Sequence, residues 1–387
     1  MLGLDRDLWF LFALNLAVGF SNQLINPLFP LYLESLGASE IQIGMVISTA
    51  SVAATALMFP SGLLIDRVGK KRMLLASVVL SSVPLLLMAS VRSWVWVTPF
   101  FMVFNAAFSL FIPSRMAMIA ERATQRNRAT LFGVMNMAWP ISGIFAPTLS
   151  GFVIENFGWT VPFYIAGGIM GASLLPTILL RVRDAPEMEV VEESKRVSLR
   201  DPEYLGFMAL FFLFHMAMST GQGCVNTVLP LFLKNELGLK ASTIGLFFTG
   251  ASFLTLLTQY PSGWLADRYG RKRLILTCIA PIPLLYGVWP LVDNWMVLLV
   301  LNSLAFGLWS MTWPASLALL SDFVPKELRG SAFGVRMTGV RLGFTVGPLF
   351  GGYLYSAIGG STVFMAAAAS FLVGIVLAWY LRESPDD

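Results

Sequence analysis

A stretch of sixteen residues that occurs twice constrains the fold of this chain more than any other feature. Residues 60–75 read PSGLLIDRVGKKRMLL, and residues 261–276, which lie 201 positions further on, read PSGWLADRYGRKRLIL. Ten of the sixteen positions are identical, and long apolar runs flank both copies. The chain is therefore a duplicated unit, and each copy carries a charged loop at the same internal place.

The duplication extends well beyond this loop. The same offset of 201 matches Gly37 with Gly238, Pro113 with Pro314, Glu121 with Asp322, Arg128 with Arg329, Gly133 with Gly334, Pro147 with Pro348 and Gly158 with Gly359. Because the same offset holds from Gly37 to Gly158, the two copies differ by almost no net insertion or deletion. Each copy should fold in the same way.

Composition places most of the chain in a lipid bilayer. Of the 387 residues, 56% are hydrophobic and 12% are charged, whereas soluble proteins are about 25% charged. A membrane-spanning helix needs about 20 mostly apolar residues, and twelve such runs are present. We predict spans at 8–33, 43–64, 73–89, 94–119, 131–154, 161–180, 205–233, 244–265, 274–292, 295–320, 332–355 and 361–381.

The distribution of Lys and Arg predicts the orientation of these spans. Twenty lie in the loops and ends on the side of the N-terminus, and only Arg92, Lys234 and Lys240 lie on the opposite side. Since basic loops stay in the cytoplasm, both termini and the repeated loop should be cytoplasmic. The basic pI of about 9.1 thus reflects membrane topology, and we expect no nucleic-acid partner. The polar residues 181–204 predict a cytoplasmic linker between two domains, 1–180 and 205–387.

The repeated loop fits the pattern G-x-x-x-D-R-x-G-[RK]-[RK], with its acidic residue at Asp66 and again at Asp267. In this motif, its position between the second and third spans and its duplication, the chain resembles the major facilitator superfamily, and within it the branch of twelve-helix drug and metabolite exporters. The resemblance implies an all-α integral membrane protein with twelve transmembrane helices in two six-helix bundles. A pseudo-two-fold axis along the membrane normal would relate the bundles.

The charged loops are predicted to form a cytoplasmic gate. A carboxylate at a membrane face is costly unless it is paired, so Asp66 and Asp267 should pair with basic neighbours. The resemblance implies that these residues latch the two halves together, although they could instead only set the topology. The predicted gate residues are Gly62, Asp66, Arg67, Gly69, Lys70, Arg72, Glu121, Arg128, Gly263, Asp267, Arg268, Gly270, Arg271, Arg273, Asp322 and Arg329.

The eleventh span is rich in glycine, in the pattern G-x8-G-x3-G-P-x2-G-G. Drug antiporters of the superfamily carry a similar pattern in the fifth span, which is degenerate here. Small residues also let helices approach closely, and on that ground we predict helix packing by Gly334, Gly343, Gly347, Pro348, Gly351 and Gly352.

Polar residues inside spans are costly and mark transport pathways by default. The resemblance implies that the first and seventh helices line a central cavity. The predicted substrate-cavity residues are Asn22, Gln23, Asn26, Arg115, His215, Gln222, Asn226 and Arg341. Interhelical hydrogen bonding is the alternative role for the amides.

Three arginines fall within the predicted spans. Arg341 should lie near the bilayer centre, Arg115 could equally serve the gate, and Arg336 is expected closer to the surface, to which it would snorkel. No Asp or Glu lies deep inside a predicted span. His215 is therefore the one deep group that titrates near neutral pH, as a proton carrier or as a hydrogen-bonding helix residue.

These features predict a secondary transporter that moves a small molecule by alternating access in the plasma or inner membrane. The absence of a P-loop excludes direct use of ATP, and the sequence contains no Ser/His/Asp grouping of an enzyme and no metal-ligand spacing. A drug or metabolite exporter is the leading interpretation. Transport of an anionic carboxylate or phosphate, and lipid transport, stay open. We expect a monomer in contact with membrane lipid, without cofactor or metal, and leave open a coupling proton or a counter-substrate.

Overall fold

The computed structural model describes residues 6–122, 128–181, 202–325 and 328–383. These residues form fifteen α-helices and two short 3-10 turns. The helices are α1 Arg6–Ile25, α2 Phe29–Ser35, α3 Glu40–Val68, α4 Lys70–Ser90, α5 Trp94–Arg122, α6 Arg128–Phe157, α7 Thr160–Ala172, α8 Leu174–Leu179, α9 Pro202–Asn235, α10 Ala241–Tyr269, α11 Arg271–Ile279, α12 Ile282–Gly287, α13 Trp295–Phe323, α14 Arg329–Ala357 and α15 Gly360–Trp379.

The predicted all-helical, twelve-span architecture is confirmed. In the described part of the chain, eleven helical segments are long and apolar enough to cross a membrane. The twelfth, α14, has 29 residues and is less apolar because it carries the glycine pattern and three arginines. Three predicted spans are each divided into two helices, which are α1 and α2, α7 and α8, and α11 and α12. Proline accounts for the first and third breaks, since it removes a backbone N–H at Pro27 and Pro281.

The turns between helices repeat as the sequence does. Glycines with positive φ occur in three pairs at the offset of 201, and among the described residues no other residue type has positive φ. Gly69 and Gly270, with φ of 93° and 91°, precede α4 and α11. A side chain would strain this backbone, so glycine is needed where the charged loop reverses into the next helix.

Local hydrogen bonds set other helix ends. At the start of α3, the Ser39 N–H donates to Gln42 Oε1 at 2.9 Å, and the Gln42 N–H donates to Ser39 Oγ at 3.5 Å. This reciprocal pair is a capping box, which satisfies two otherwise unpaired backbone donors. At the start of α13, Asn294 accepts from the Met296 N–H at 2.9 Å.

The first compact unit comprises the described residues of Met1–Ala38, Thr49–Met188 and Gly238–Thr249. In it α1 packs on α6 and α7, and α4 packs on α5 and α7. The start of α10 belongs to this unit, where Thr249 donates to the Ile144 carbonyl at 3.0 Å and the Ser242 N–H donates to Glu155 at 2.7 Å.

The second compact unit comprises the described residues of Ser39–Ser48, Glu189–Leu237 and Gly250–Asp387. Its packing repeats that of the first: α9 lies against α14 and α15, and α11 lies against α13 and α15. The start of α3 belongs here, and Ser48 Oγ donates to the Thr345 carbonyl at 2.6 Å. The predicted linker, 181–204, falls almost entirely outside the described residues, so the division at that point stays a prediction.

Candidate functional site

Arg115 is a partly buried cation in α5 of the first unit. Its Nη1 donates to Asn15 Oδ1 at 2.8 Å, and its Nη2 donates to Asn136 Oδ1 at 3.2 Å. Its Nε is buried and has no hydrogen-bond partner in the described structure. The face of Phe111 lies 5.9 Å from the guanidinium carbon. Among the described residues, only neutral groups therefore contact this positive charge.

The Asn15 amide holds this arrangement in place. Its Nδ2 donates to the Met135 carbonyl at 2.7 Å, so its oxygen must point toward Arg115. The side chain is 3% exposed. Asn15 on α1 and Asn136 on α6 thus position the guanidinium from two neighbouring helices.

Arg336 is a buried cation in α14 of the second unit. Its Nε donates to His215 Nε2 at 3.1 Å, and its Nη2 lies 3.4 Å from Ser316 Oγ. The Trp313 ring lies 5.6 Å from the guanidinium carbon. Arg336 is 3% exposed and His215 is 7% exposed. As at Arg115, no described carboxylate pairs with this charge.

A pocket opens beside Arg336 and His215. Its walls are mostly aromatic or aliphatic, with a few hydroxyl groups. The other lining residues are Phe214, Met218, Ser219, Trp309, Thr312, Trp313 and Val340. The cavity has a volume of about 10 Å³, which is about what one water molecule needs, so a larger ligand fits only if the surrounding helices move apart.

The expectation that Arg336 snorkels to the surface is wrong, because it is buried. Residues 336, 339, 343 and 347 recur at helical spacing, so Arg336 shares a face with the glycines of α14. An added Cβ at Gly339 would lie 2.6 Å from the Phe212 carbonyl oxygen of α9, which shows how close the two helices are. The helical spacing between Arg336 and these glycines, which is visible in the sequence, could have predicted that Arg336 faces α9.

Arg341 lies five residues beyond Arg336, on a different face of α14. It is the thirteenth of 29 residues in that helix, as expected for a position near the middle of the span. Its side chain is only partly buried, and its backbone carbonyl accepts from Thr345 at 2.9 Å. Its predicted role in the cavity stays a prediction.

The predicted cavity amides form the same local pattern in both units. At the end of α1, Asn22 donates to the Val18 carbonyl at 2.9 Å, and Asn26, the first residue of the following 3-10 turn, donates to Asn22 Oδ1 at 3.1 Å. In α9, Gln222 donates to Asn226 Oδ1 at 2.9 Å. These contacts are local in sequence, and Gln222 Oε1 also accepts from the Tyr286 hydroxyl of α12 at 3.4 Å. Gln23 is partly buried.

The predicted gate residues form equivalent ion pairs in the two units. Lys70 pairs with Glu121 in the first, and Arg271 pairs with Asp322 in the second. Asp267 lies 3.9 Å from Arg271. The two pairs occupy matching positions of the repeat. In the first unit the start of α4 contacts the end of α5, and in the second unit the start of α11 contacts the end of α13.

Other predicted gate residues are mostly exposed. Arg67, Arg72, Arg268 and Arg273 are at the surface, and Gly263 is partly buried. Arg329 donates to the Ser321 carbonyl at 2.6 Å, close to the end of α13, where a cation is favourable. Three predictions fall on Gly62, Asp66 and Arg128, which lie in helices but whose side chains are outside the described part of the structure.

The glycines of α14 pack on α9 and on the start of α3. An added Cβ at Gly343 or Gly347 would lie about 2.5 Å from backbone of α9, and at Gly351 it would lie 3.0 Å from Cys224. A Cβ at Gly352 would overlap the Glu40 carbonyl. Pro348 is buried beside them and contacts Gly44. Gly334 differs, since a Cβ there meets nothing within 4 Å.

A duplicated set of membrane-spanning helices is typical of secondary transporters. The family model of the Major Facilitator Superfamily matches residues 11–221 and again 210–387. The chain therefore belongs to this superfamily, as its repeated loop predicted.

Curated relatives of the chain are transporters. It is 28% identical to the cis,cis-muconate transport protein of Acinetobacter baylyi, over 72% of this chain and 70% of that protein. It is 23% identical to multidrug resistance protein 2 of Bacillus subtilis, over 99% of this chain and 97% of that protein. A crystal structure of the peptide transporter POT in complex with sulfate superposes with a TM-score of 0.80, at 13% identity, over 97% and 94% of the two chains. That likeness shows the fold.

Proposed function

We propose that this transporter moves a small organic anion by alternating access. One observation carries the proposal: each unit holds an arginine within a membrane-spanning helix, partly buried Arg115 and buried Arg336, whose described partners are all neutral. A charged side chain inside the membrane costs at least about 2.5–3.5 kcal/mol. Asn15 and Asn136 at Arg115, and His215 at Arg336, offset part of this cost with hydrogen bonds. A bound anion would neutralise the charge as well.

The donors left over on these arginines suit a carboxylate. Arg115 keeps its buried Nε without a partner, and Arg336 meets Ser316 only at 3.4 Å. Guanidinium groups bind carboxylates through two parallel N–H donors. The relative from Acinetobacter baylyi is named for transport of cis,cis-muconate, which supports this class. The aromatic side chains beside Arg336 favour a carboxylate with an apolar or conjugated body, which would enter when alternating access widens this small cavity.

Export of drugs is the second candidate. The relative from Bacillus subtilis is named a multidrug resistance protein, and Trp309, Trp313 and Phe214 would suit a flat apolar compound. A cationic drug, however, would meet Arg336 in this pocket and no described carboxylate. The charge of the best ligand therefore separates the two candidates.

The remaining parts of the proposal concern orientation and gating. We place both termini in the cytoplasm of a bacterial inner membrane, because Lys and Arg split twenty to three across the predicted loops. The ion pairs Lys70–Glu121 and Arg271–Asp322 would then lie at the cytoplasmic face. There they would brace the two charged loops of the proposed gate.

The test is ligand binding to the purified protein, read as a thermal shift. A ligand that binds only the folded state raises the unfolding temperature. We expect stabilisation by benzoate, cis,cis-muconate or both, and none by cationic dyes of similar size. Arg336→Gln should weaken binding about 10- to 100-fold, because a hydrogen bond to a charged group contributes about 1.5–3 kcal/mol.

Arg92→Gln is the matched control, since Arg92 is an exposed arginine between α4 and α5. It removes the same charge outside the spans and should leave anion binding unchanged. Stabilisation by cationic compounds alone would reject the anion proposal in favour of drug export.

A further inference from the structure

The hydrogen bonds around His215 define which of its ring nitrogens carries a proton. Nδ1 lies 2.9 Å from the Phe211 carbonyl oxygen, which can only accept. Nδ1 must therefore hold the hydrogen of a neutral ring. Nε2 then presents its lone pair to the Nε–H of Arg336 at 3.1 Å. While Arg336 donates to Nε2, a second proton on the ring has no place to bind.

The other unit has a group that cannot titrate at the matching position. Asn15 and His215 are 200 residues apart, the same offset that relates Asn22 to Gln222. Asn15 also accepts from a partly buried arginine, Arg115, at 2.8 Å. Both units thus place a hydrogen-bond acceptor of the first or seventh span against a guanidinium. Only the second unit uses an acceptor that can bind a proton near neutral pH.

The surroundings of His215 contain few other charges. The charged residues of α14 are Arg336, Arg341 on another face and Arg329 at its first position, and the sequence of α15 contains no titratable residue. In α13 the one acidic residue is Asp322, which pairs with Arg271. The charged residues of α9 itself, Glu203 and Lys234, lie at its two ends. Within the described unit, Arg336 is therefore the charge that controls proton binding to this ring.

We propose that His215 binds one proton when an anion engages Arg336, so that anion and proton binding are linked. The inference rests on the proposed anion transport. A carboxylate that takes the Nε–H edge of Arg336 withdraws that donor from His215. A solvent proton can then add to the free lone pair of Nε2, and the ring gains one positive charge. The single negative charge of the anion offsets this gain.

The linkage is reciprocal, because two ligands that favour each other's binding do so by the same factor. Anion affinity should therefore rise as the pH falls, by up to about tenfold per pH unit for one linked proton. A transporter built in this way would carry a proton together with its anion. Such a transporter would concentrate the anion on the side to which protons flow.

His215 can be observed directly, because it is the only histidine in the sequence. Protein carrying ¹⁵N-labelled histidine and a purification tag without histidine gives the signals of one imidazole ring. At pH 7 and without ligand, we expect a neutral ring with hydrogen on Nδ1. Adding saturating benzoate at the same pH should protonate Nε2 as well. Thermal shift in the same samples reports whether benzoate binds.

The outcomes separate the inference from the proposed function. If benzoate, cis,cis-muconate and inorganic phosphate all fail to stabilise the protein, anion transport is rejected, and the linkage with it. If an anion binds and the ring stays neutral, the linkage alone is rejected. A ligand-free ring with hydrogen on Nε2 would also overturn it, because the Arg336 contact would then be impossible.

His215→Asn supplies the matched variant, since it copies the arrangement at Asn15. It keeps an acceptor for Arg336 and cannot be protonated. We expect this variant to bind benzoate with an affinity that does not change between pH 5.5 and 8, whereas the affinity of the unmodified protein falls at least about tenfold over that range. Equal pH dependence in both proteins would overturn the proposal.

Discussion

Substitution of Gly347 by alanine should loosen the contact between α14 and α9. An added Cβ would lie 2.5 Å from the Thr220 carbonyl oxygen, 2.9 Å from Gly223 Cα and 3.0 Å from Cys224 N. All three are backbone atoms, which cannot rotate away as the end of a side chain can. The two helices must therefore move apart.

The magnitude follows from comparison with Gly334→Ala in the same helix, where a Cβ meets nothing within 4 Å. Both substitutions gain the same helix propensity, about 1 kcal/mol, so this gain cancels in the comparison. Overpacking then makes Gly347→Ala less stable than Gly334→Ala by about 1–3 kcal/mol. For a unit of this size, the difference in unfolding temperature is about 2–12 °C.

Two assays check this expectation. Tryptophan fluorescence gives the unfolding temperature of each variant. Maleimide labelling of Cys224 reports on the interface itself, because this buried thiol donates to the Gly347 carbonyl at 3.1 Å. In a Cys278→Ser background, labelling should be faster in Gly347→Ala than in Gly334→Ala. Equal unfolding temperatures and equal labelling rates would refute the close packing of α9 and α14.

Three further predictions concern topology, the gate and the cavity. In protein without its native cysteines, Arg72→Cys should react with a membrane-impermeant maleimide only from the cytoplasmic side, and Arg92→Cys only from outside; the reverse pattern would invert the topology. Glu121→Gln breaks an ion pair with the start of α4 and should shift the conformational equilibrium about 5- to 150-fold, the range of a coupling of about 1–3 kcal/mol; unchanged distances between spin labels at positions 72 and 273 would reject the gate. Arg341→Gln should fold and transport anions poorly, while Arg341→Lys keeps part of the activity; normal transport by Arg341→Gln would remove that residue from the cavity.

Features that depend on local sequence were predictable. The offset of 201 predicted that Gly69 and Gly270 would make equivalent turns, and their φ angles differ by only about 2°. The apolar runs predicted the spans because length and hydropathy alone decide whether a helix can cross a bilayer. The breaks at Pro27 and Pro281 lie inside these runs, and hydropathy is insensitive to them.

The partners of Arg336 and Arg115 depend on contacts between helices that the sequence does not display. Arg336 was expected near the surface because it lies only seven residues into its helix. In the structure α9 and α13 cover it on two sides, with His215 from one helix and Ser316 from the other. Asn136, which contacts Arg115, was not among the predicted site residues for the same reason. The position of a residue along its own helix does not show whether neighbouring helices bury its side chain.

Flux into liposomes tests the central claim, anion transport that depends on a buried arginine, most directly. Purified protein would be reconstituted, and uptake of radiolabelled benzoate and of a cationic dye would be followed under an inward proton gradient. The account predicts benzoate uptake by the unmodified protein and by Arg92→Gln, and a loss of at least about tenfold in Arg336→Gln. Uptake of the dye without uptake of benzoate, or full benzoate uptake by Arg336→Gln, would contradict it.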